Sequence, residues 1–472
     1  MLKYVDKQCL IMGDSYDVVV VGAGTAGSYA AYLLSKMGLS VALIEKKPAD
    51  EVFKTTGDAI GDHHIERLKA SGFEPPEGVF MVRYDGAELY SPDLSVRYII
   101  LGRGYALDMA KWASWLINSA VNAGATLYDR HTAVGPIVEN GFVRGVRVNK
   151  PDGSSMDIYA KVTIDASGAT GVIRTKLPPQ FKVSEPLLPE DASYAYREVV
   201  ELDGDLDNVN FIKIYLDNVI APGGYWWFFP KSSNTANVGL GIWGKLVKDS
   251  GLNPRANYVN YLIRQGRVKV RKVIHSGGGI VPTRRPLASM VGPGIVAIGD
   301  AGLTVNPIHG GGLGPALLSA ELASKTIAEA FESGDFSERG LWRFNLRYLE
   351  AYGVKQAQLD VLRLMLQTLD NRQLNRGLRA RLLTEDEVLE ISVKGSMELS
   401  LVKKMQVALR MLKIPDVARK LTLALRYMDK VKGLYAKYPK EPERLDMWLV
   451  EYLSVLNEYR LKLGLPPLQA SI

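Results

Sequence analysis

Residues 16–21, YDVVVV, end in four consecutive valines, a β-branched run with no polar face and the pattern of a parallel strand covered on both sides. The run breaks at GAGTAG, residues 22–27. After it, Ala30, Ala31, Leu33, Leu34 and Met37 recur at helical spacing until Gly38, and residues 41–44 read as a second buried strand that ends at Glu45. Further on, VTIDASGATG (residues 162–171) supplies another strand and glycine turn. Residues 295–298 lead into Gly299-Asp300, a loop, a triple glycine and a helix from about Pro315. Between these pieces lie short alternating runs such as NFIKIYL and NVGLGIW, which predict an antiparallel sheet over residues 176–280. From Leu341 onward the pattern is helical, interrupted at Pro415, Pro439, Pro442 and Pro466.

One stretch departs from alternation. In GGYWWFFPK, residues 223–231, the two-residue period of a strand puts Tyr225, Trp227 and Phe229 on one face and Trp226 and Phe228 on the other. Both faces are apolar. Such a strand is buried in core on both sides, or it packs core with one face and lines a pocket for a flat ligand with the other.

The first sixty residues carry chemistry. Gly22 permits the tight turn, Gly24 lets a pyrophosphate approach the backbone, and Gly27 allows helix and strand to pack closely. The helix N-terminus offers unpaired N–H groups to phosphates. Glu45, eighteen residues past Gly27, is placed to accept hydrogen bonds from a ribose. The expected fold is α/β plus α: a Rossmann-type dinucleotide-binding domain in two parts, residues 1–175 and 281–345, interrupted by the sheet of residues 176–280 and followed by a helical region, residues 346–472.

Length fits this division, since 472 residues exceed one ordinary core. No apolar run approaches the ~20 residues that cross a bilayer, and the N-terminus lacks a signal-peptide pattern. The single cysteine, Cys9, excludes an internal disulfide and Cys-ligated metal clusters, and no metal site is expected. These features predict a cytoplasmic protein. The net charge of +7 is uneven: from Leu341 onward 23 basic residues face 15 acidic ones, while the first 340 residues hold 35 and 36. Nucleic-acid motifs are absent, so no nucleic-acid partner is expected. Leu421, Leu425 and Met428 lie at helical spacing with Lys403, Lys404, Arg410, Lys413, Arg419 and Lys420 nearby. This is either a solvated basic face on a packed helix or a peripheral contact with the inner face of the cell membrane.

The segment IGDAGLTVNPIHGGGLG, residues 298–314, resembles the GD motif of FAD-dependent enzymes of the para-hydroxybenzoate hydroxylase superfamily. With the N-terminal fingerprint, YWWFFP (225–230), PTRRPL (282–287) and KTTGDA (54–59), the chain resembles the geranylgeranyl reductases, especially the archaeal digeranylgeranylglycerophospholipid reductases. The resemblance runs from about Tyr16 into the C-terminal helical region. It implies FAD held at Gly22, Gly24, Ala26 and Gly27, at Glu45 and Lys46, at Thr56, Gly57, Asp58 and Ala133, and at Asp300, Gly312 and Leu313. It implies a substrate pocket walled by Tyr225, Trp227 and Phe229, a geranylgeranyl lipid as substrate, and an external electron donor, whether NAD(P)H, ferredoxin or a reduced quinone. Two departures stand out: Thr56 occupies a position where many members have cysteine, and Met109 replaces an arginine. His309 is a candidate for proton handling; His63 and His64 follow the Thr56-Gly57-Asp58 turn without a defined role. The alternatives are a flavin monooxygenase or halogenase of the same superfamily, and a non-catalytic prenyl-lipid escort.

Overall fold

A computed structural model describes residues 14–53, 56–394 and 414–468. Cys9, Lys54, Lys403, Lys404, Arg410 and Lys413 lie outside the described residues. The strand Asp14–Val21 pairs in parallel with Val41–Ile44 on one side and Ser155–Asp165 on the other. Thr126–Tyr128 and Ile295–Ala297 extend this parallel core at either end. Val18 to Val21 are buried, as a strand covered on both faces requires. The helix Thr25–Lys36 crosses over the sheet between the first two strands. Gly27 is compulsory there, because a Cβ would fall 1.9 Å from the Gly22 carbonyl oxygen.

The second sheet has eight strands, and its sequence-derived boundaries need correction. Its order runs Val270–Val281, Ser193–Leu202, Thr235–Trp243, Tyr225–Pro230, Phe211–Tyr215, Phe80–Tyr90, Arg97–Leu107 and Ala59–Gly61. Three strands therefore come from residues 59–107, ahead of the 176–280 segment. The sheet is also mixed, since Phe211–Tyr215 pairs in parallel with Phe80–Tyr90. Pairing between segments so far apart in the chain leaves no trace in a local alternation pattern, which explains the shortfall.

In the C-terminal region, helix Pro415–Tyr435 packs along helix Val354–Leu366. Its apolar face, with Leu421 and Met428, is buried, and Lys420 donates to the Thr368 carbonyl. The PTRRPL segment joins this region to the rest. Arg284 and Arg285 both hold Glu185, at 2.5 and 2.7 Å, and Arg284 also reaches Asp191 at 3.0 Å. Arg363 pairs with Asp360 at 2.6 Å and Arg460 with Glu190 at 3.0 Å. Burial alone would raise the Glu185 carboxyl, but the two arginines outweigh it and hold it at about 2, against an ordinary value of 4.5. A carboxyl depressed on folding stabilises the native state above its unfolded value and loses that contribution as pH falls through the folded one. The melting temperature is expected to drop as pH falls from about 4.5 towards 2. Glu185→Gln should flatten that part of the profile; an unchanged slope in thermal scans would refute the junction's role.

Candidate functional site

Gly22 takes a φ of +100°, which only glycine adopts freely, and turns the chain out of the first strand. No atom lies within 4 Å of where a Gly24 Cβ would sit, so the backbone is bare towards the cavity. Gly24 caps helix Thr25–Lys36 without a side-chain acceptor, and the first turn has no acidic residue. Those N–H groups are left for an anion. Glu45 is buried; its carboxylate accepts from the N–H groups of Ala23 and Lys47, both at 2.9 Å. Each oxygen keeps a lone pair for a ribose hydroxyl. Lys46 is exposed beside it, the His131 N–H donates to the Glu45 carbonyl at 2.8 Å, and Thr132 and Ala133 continue that segment along the cavity.

The second glycine motif meets the first. Gly299, at φ +57°, lies so close to Ala26 that its own Cβ would fall 2.9 Å from the Ala26 methyl. Asp300 follows in the turn Gly299–Gly302, and its Oδ1 lies 3.2 Å from where a Gly312 Cβ would sit. Gly312 caps helix Leu313–Ser333, again with no side-chain cap and no acidic residue in the first turn. Two helix N-termini therefore face one cavity, a charge arrangement suited to a dinucleotide with anionic groups along its length. The residues present fit FAD.

Asp58 anchors the third piece. It sits at φ +59° and is buried, and its carboxylate accepts from Lys231 Nζ, Asn237 Nδ2 and Thr56 Oγ1, each at 2.9 Å. Arg197 Nη2 lies 3.7 Å away. The Asp58 side chain is thus committed to holding its own loop, as is the Thr56 hydroxyl, which donates to Asp58 and accepts from its N–H at 2.9 Å; both residues line the cavity with Gly57. Gly57 packs under Phe229, whose ring lies 3.1 Å from where a Cβ would be. Asn237 bridges the loop to the aromatic strand: it donates to the Thr56 carbonyl and accepts from the Trp227 indole N–H, both at 2.9 Å.

The aromatic strand has two different faces. Trp226 stacks on Tyr215 with ring centroids 3.7 Å apart and planes within 4°, inside a core that includes Val238 and Leu240. Phe228 packs against the same core. Tyr225, Trp227 and Phe229 line the cavity instead. Trp227 lies over Gly239 of the neighbouring strand, where any Cβ would fall 2.4 Å from the indole. Gly279, also on the cavity side, faces open space, and a Cβ at Gly241 would lie 4.0 Å from the Ser193 Cβ. Glycines spaced by two in NVGLGIW, and the GGG of strand Val270–Val281, keep this floor low. Tyr225 donates its hydroxyl to the His309 carbonyl at 2.7 Å, tying the wall to the loop before helix Leu313–Ser333.

All these parts open on one cavity of about 2160 Å³. Every residue named for the site from the sequence lines it except Gly27, which lies behind the turn and acts through packing. Ordinary ligand pockets measure roughly 300–1,000 Å³, so this one has room for a dinucleotide and a second long molecule. Beyond the aromatic wall the cavity continues between the second sheet and the C-terminal helices, lined by Ile212, Ile214, Leu362, Met365, Leu374 and Leu378. Sequence reasoning missed this apolar arm, and it missed Asn237, Lys231 and Arg197. The helical spacing of leucines after Val354 was its one visible sign. His309 and His64 also line the cavity; His309 is exposed there, while the half-buried His64 is lowered by desolvation to about 3, so that ring is neutral near pH 7.

The fold and the doubled glycine cradle define a flavoprotein of the Rossmann-type, two-sheet class. The chain belongs to the digeranylgeranylglycerophospholipid reductase family. It is 39% identical over 453 residues to the digeranylgeranylglycerophospholipid reductase of Sulfolobus acidocaldarius, a match covering 95% of this chain and 99% of the relative. Residues 191–281 match the geranylgeranyl reductase catalytic domain, and residues 20–49 match an NAD(P)-binding Rossmann-like domain. Among solved structures, a geranylgeranyl bacteriochlorophyll reductase-like protein from Thermoplasma acidophilum superposes with a TM-score of 0.72 at 26% identity, covering 87% of this chain and 99% of that one. A triple mutant of a flavin-dependent brominase shares the fold, with a TM-score of 0.59 at 20% identity over 74% of this chain and 88% of its own.

Proposed function

We propose that this protein is a FAD-dependent reductase that saturates isolated alkenes of geranylgeranyl chains in a membrane-lipid precursor. The observation that carries the reading is the continuity of the cavity: an apolar arm begins at the aromatic wall and opens directly into the dinucleotide cradle. FAD, when bound and reduced by the donor, would supply a hydride to one alkene carbon, and a proton adds to the other, so that each double bond gains H2 and the flavin returns to its oxidised form. The chain's own residues do the rest. Tyr225, Trp227 and Phe229 hold a flat trisubstituted alkene, and their π faces favour the positive charge that builds on its tertiary carbon, by ~0.5–2 kcal/mol per contact. Positioning contributes more, because each tenfold in rate needs about 1.4 kcal/mol and a fixed reacting geometry is worth several of these. The apolar arm excludes water and takes the remainder of the chain. An external donor, NAD(P)H, ferredoxin or a reduced quinone, supplies the electrons.

No helix among the described residues is long and apolar enough to cross a membrane. We assign lipid capture to peripheral contact by the basic C-terminal region. The reading is tested by anaerobic incubation of the reduced holoenzyme with geranylgeranyl lipids, followed by mass spectrometry. A gain of H2 for each alkene saturated is expected. Oxygen uptake coupled to the donor, with no saturated lipid, would instead assign the protein to the monooxygenases or halogenases that share its fold.

A further inference from the structure

The hairpin of strands Phe80–Tyr90 and Arg97–Leu107 has a side that the site leaves unused. In RYIILGRG, residues 97–104, the two-residue period puts Tyr98 and Ile100 on one face and Ile99 and Leu101 on the other. Both faces are apolar, yet only the first is covered among the described residues. Tyr98 is buried and Ile100 lines the cavity, whereas Ile99 is 41% and Leu101 66% exposed. In the turn between the strands Leu94 is 52% exposed and takes a φ of +58°. Leucine seldom occupies the left-handed region, and strain of this kind clusters where it serves a function. The hairpin's outer edge is open as well. Strand Ala59–Gly61 pairs with residues 104–106 alone, so residues 97–103 have no partner strand on that side among the described residues.

The cavity comes out at this hairpin. Leu101, Gly102 and Arg103 line it and are exposed; so does Leu389 of helix Glu385–Lys394, which packs on the same strand. The apolar arm leads there, since helix Asn371–Arg379 lines it with Leu374 and Leu378 and holds the hairpin through Asn375, whose Oδ1 accepts from the Asp93 N–H at 3.2 Å. Charge is layered around the opening. Arg97 pairs with Glu88 and Arg103 with Asp62, both at 3.2 Å, Arg381 pairs with Glu385 at 2.7 Å, and Arg379 pairs with Asp93. In each of these four the arginine is more than half exposed and the carboxylate at most a third, so the outermost layer is cationic. An exposed apolar strip within a cationic rim suits an anionic lipid surface. We propose that residues 80–107 seat the protein on an anionic bilayer, with Leu94, Ile99 and Leu101 entering the acyl boundary and the four arginines among the head groups. The open edge limits the depth, because unpaired strand N–H and C=O groups are not tolerated in hydrocarbon. A geranylgeranyl chain then passes from the bilayer through the opening at Leu101 into the apolar arm without exposing its methylenes to water. A second copy of the chain would match the strip's apolarity but not a hydrocarbon-lined opening within it. The docking face rests on the lipid-reductase reading given above and is separate from the contact assigned to the basic C-terminal region.

The test uses Leu94 and Ile99, which do not line the cavity. Full-length holoenzyme is co-sedimented with phosphatidylcholine vesicles that contain or lack phosphatidylglycerol. The parent is expected to prefer the anionic vesicles about tenfold. Leu94→Ser/Ile99→Ser should lose about tenfold on them at unchanged flavin content. Leu94→Gly is the sharper variant, because glycine suits φ +58°: it should melt no lower than the parent and still bind anionic vesicles more weakly. Equal binding by parent and variants, or to the two kinds of vesicle, would overturn the docking face. So would a lower melting temperature of Leu94→Gly, or a change of oligomeric state in light scattering, since the strip would then be packed within the chain or against a second copy. Turnover separates docking from chemistry. The variants should slow about tenfold on a geranylgeranyl phospholipid held in vesicles and keep the parent rate on dispersed geraniol. If neither lipid is reduced while vesicle binding follows expectation, the reductase reading fails and the docking face stands.

Discussion

Trp227→Ala is expected to lower single-turnover reoxidation of the reduced flavin by a geranylgeranyl lipid about a hundredfold, the size of effect that an ångström of misplacement brings. Flavin occupancy should change little, because the indole reaches the cradle through intermediaries, Asn237 by its hydrogen bond and Phe229 by ring contact. Trp227→Phe keeps a ring over Gly239 but removes the N–H donor, so it should recover most of the rate and isolate the hydrogen bond's share. The neighbouring Trp226 provides the contrast. Its ring lies in the second core, stacked on Tyr215, and Trp226→Ala should cost ~3–5 kcal/mol of stability while reoxidation in the folded fraction proceeds at the parent rate. Denaturant titration and stopped-flow absorbance read the two quantities separately. Parent-rate reoxidation by Trp227→Ala would mean that the wall is core on both faces.

Asp58→Ala should be the most damaging single change in the loop facing the wall. It strips Lys231 Nζ of its only carboxylate partner among the described residues, leaving the Leu107 carbonyl at 2.7 Å, and it takes away the acid nearest Arg197. Breaking a buried ion pair from one side typically costs ~3–5 kcal/mol, because the remaining charge stays buried. The double variant Asp58→Ala/Lys231→Met removes that stranded charge and should be more stable than Asp58→Ala alone. A thermal-melt cycle over the four proteins gives the coupling; additive losses would show that the pair is not a unit. Flavin retention should fall with the loop, since Asn237 and Thr56 lose their shared anchor.

The parts of the site legible in the sequence were those built from neighbouring residues. GAGTAG and the strand before it announce their turn because Gly22, Gly24 and Gly27 each answer a backbone demand met within six residues. YWWFFP displayed its two faces for the same reason, since period two is a local property. What escaped was assembled across the chain. Asn237 looks like any polar residue in an alternating strand, yet it is fully buried because it joins the Trp227 indole to the loop at Thr56 and Asp58. The resemblance offers Asp58 as a flavin contact, and its three-dimensional partners add a second task, holding Lys231, Asn237 and Thr56 together. The strands at residues 59–107 escaped because their hydrophobic pattern is diluted by glycines and charges, and pairing with Phe211–Tyr215 makes good that deficit.

The matched catalytic segment, residues 191–281, contributes only five of the eight strands of its sheet. Cut from the chain, it would leave Phe211–Tyr215 as a bare edge where Phe80–Tyr90 now pairs, and it would lose the bond from the Tyr84 hydroxyl to the Pro230 carbonyl. An open apolar edge of that kind recruits other copies. The segment is therefore not a portable cassette. A chimaera between relatives is expected to fold only when it carries residues 59–107 along with residues 191–281, two distant stretches of gene that have to travel together.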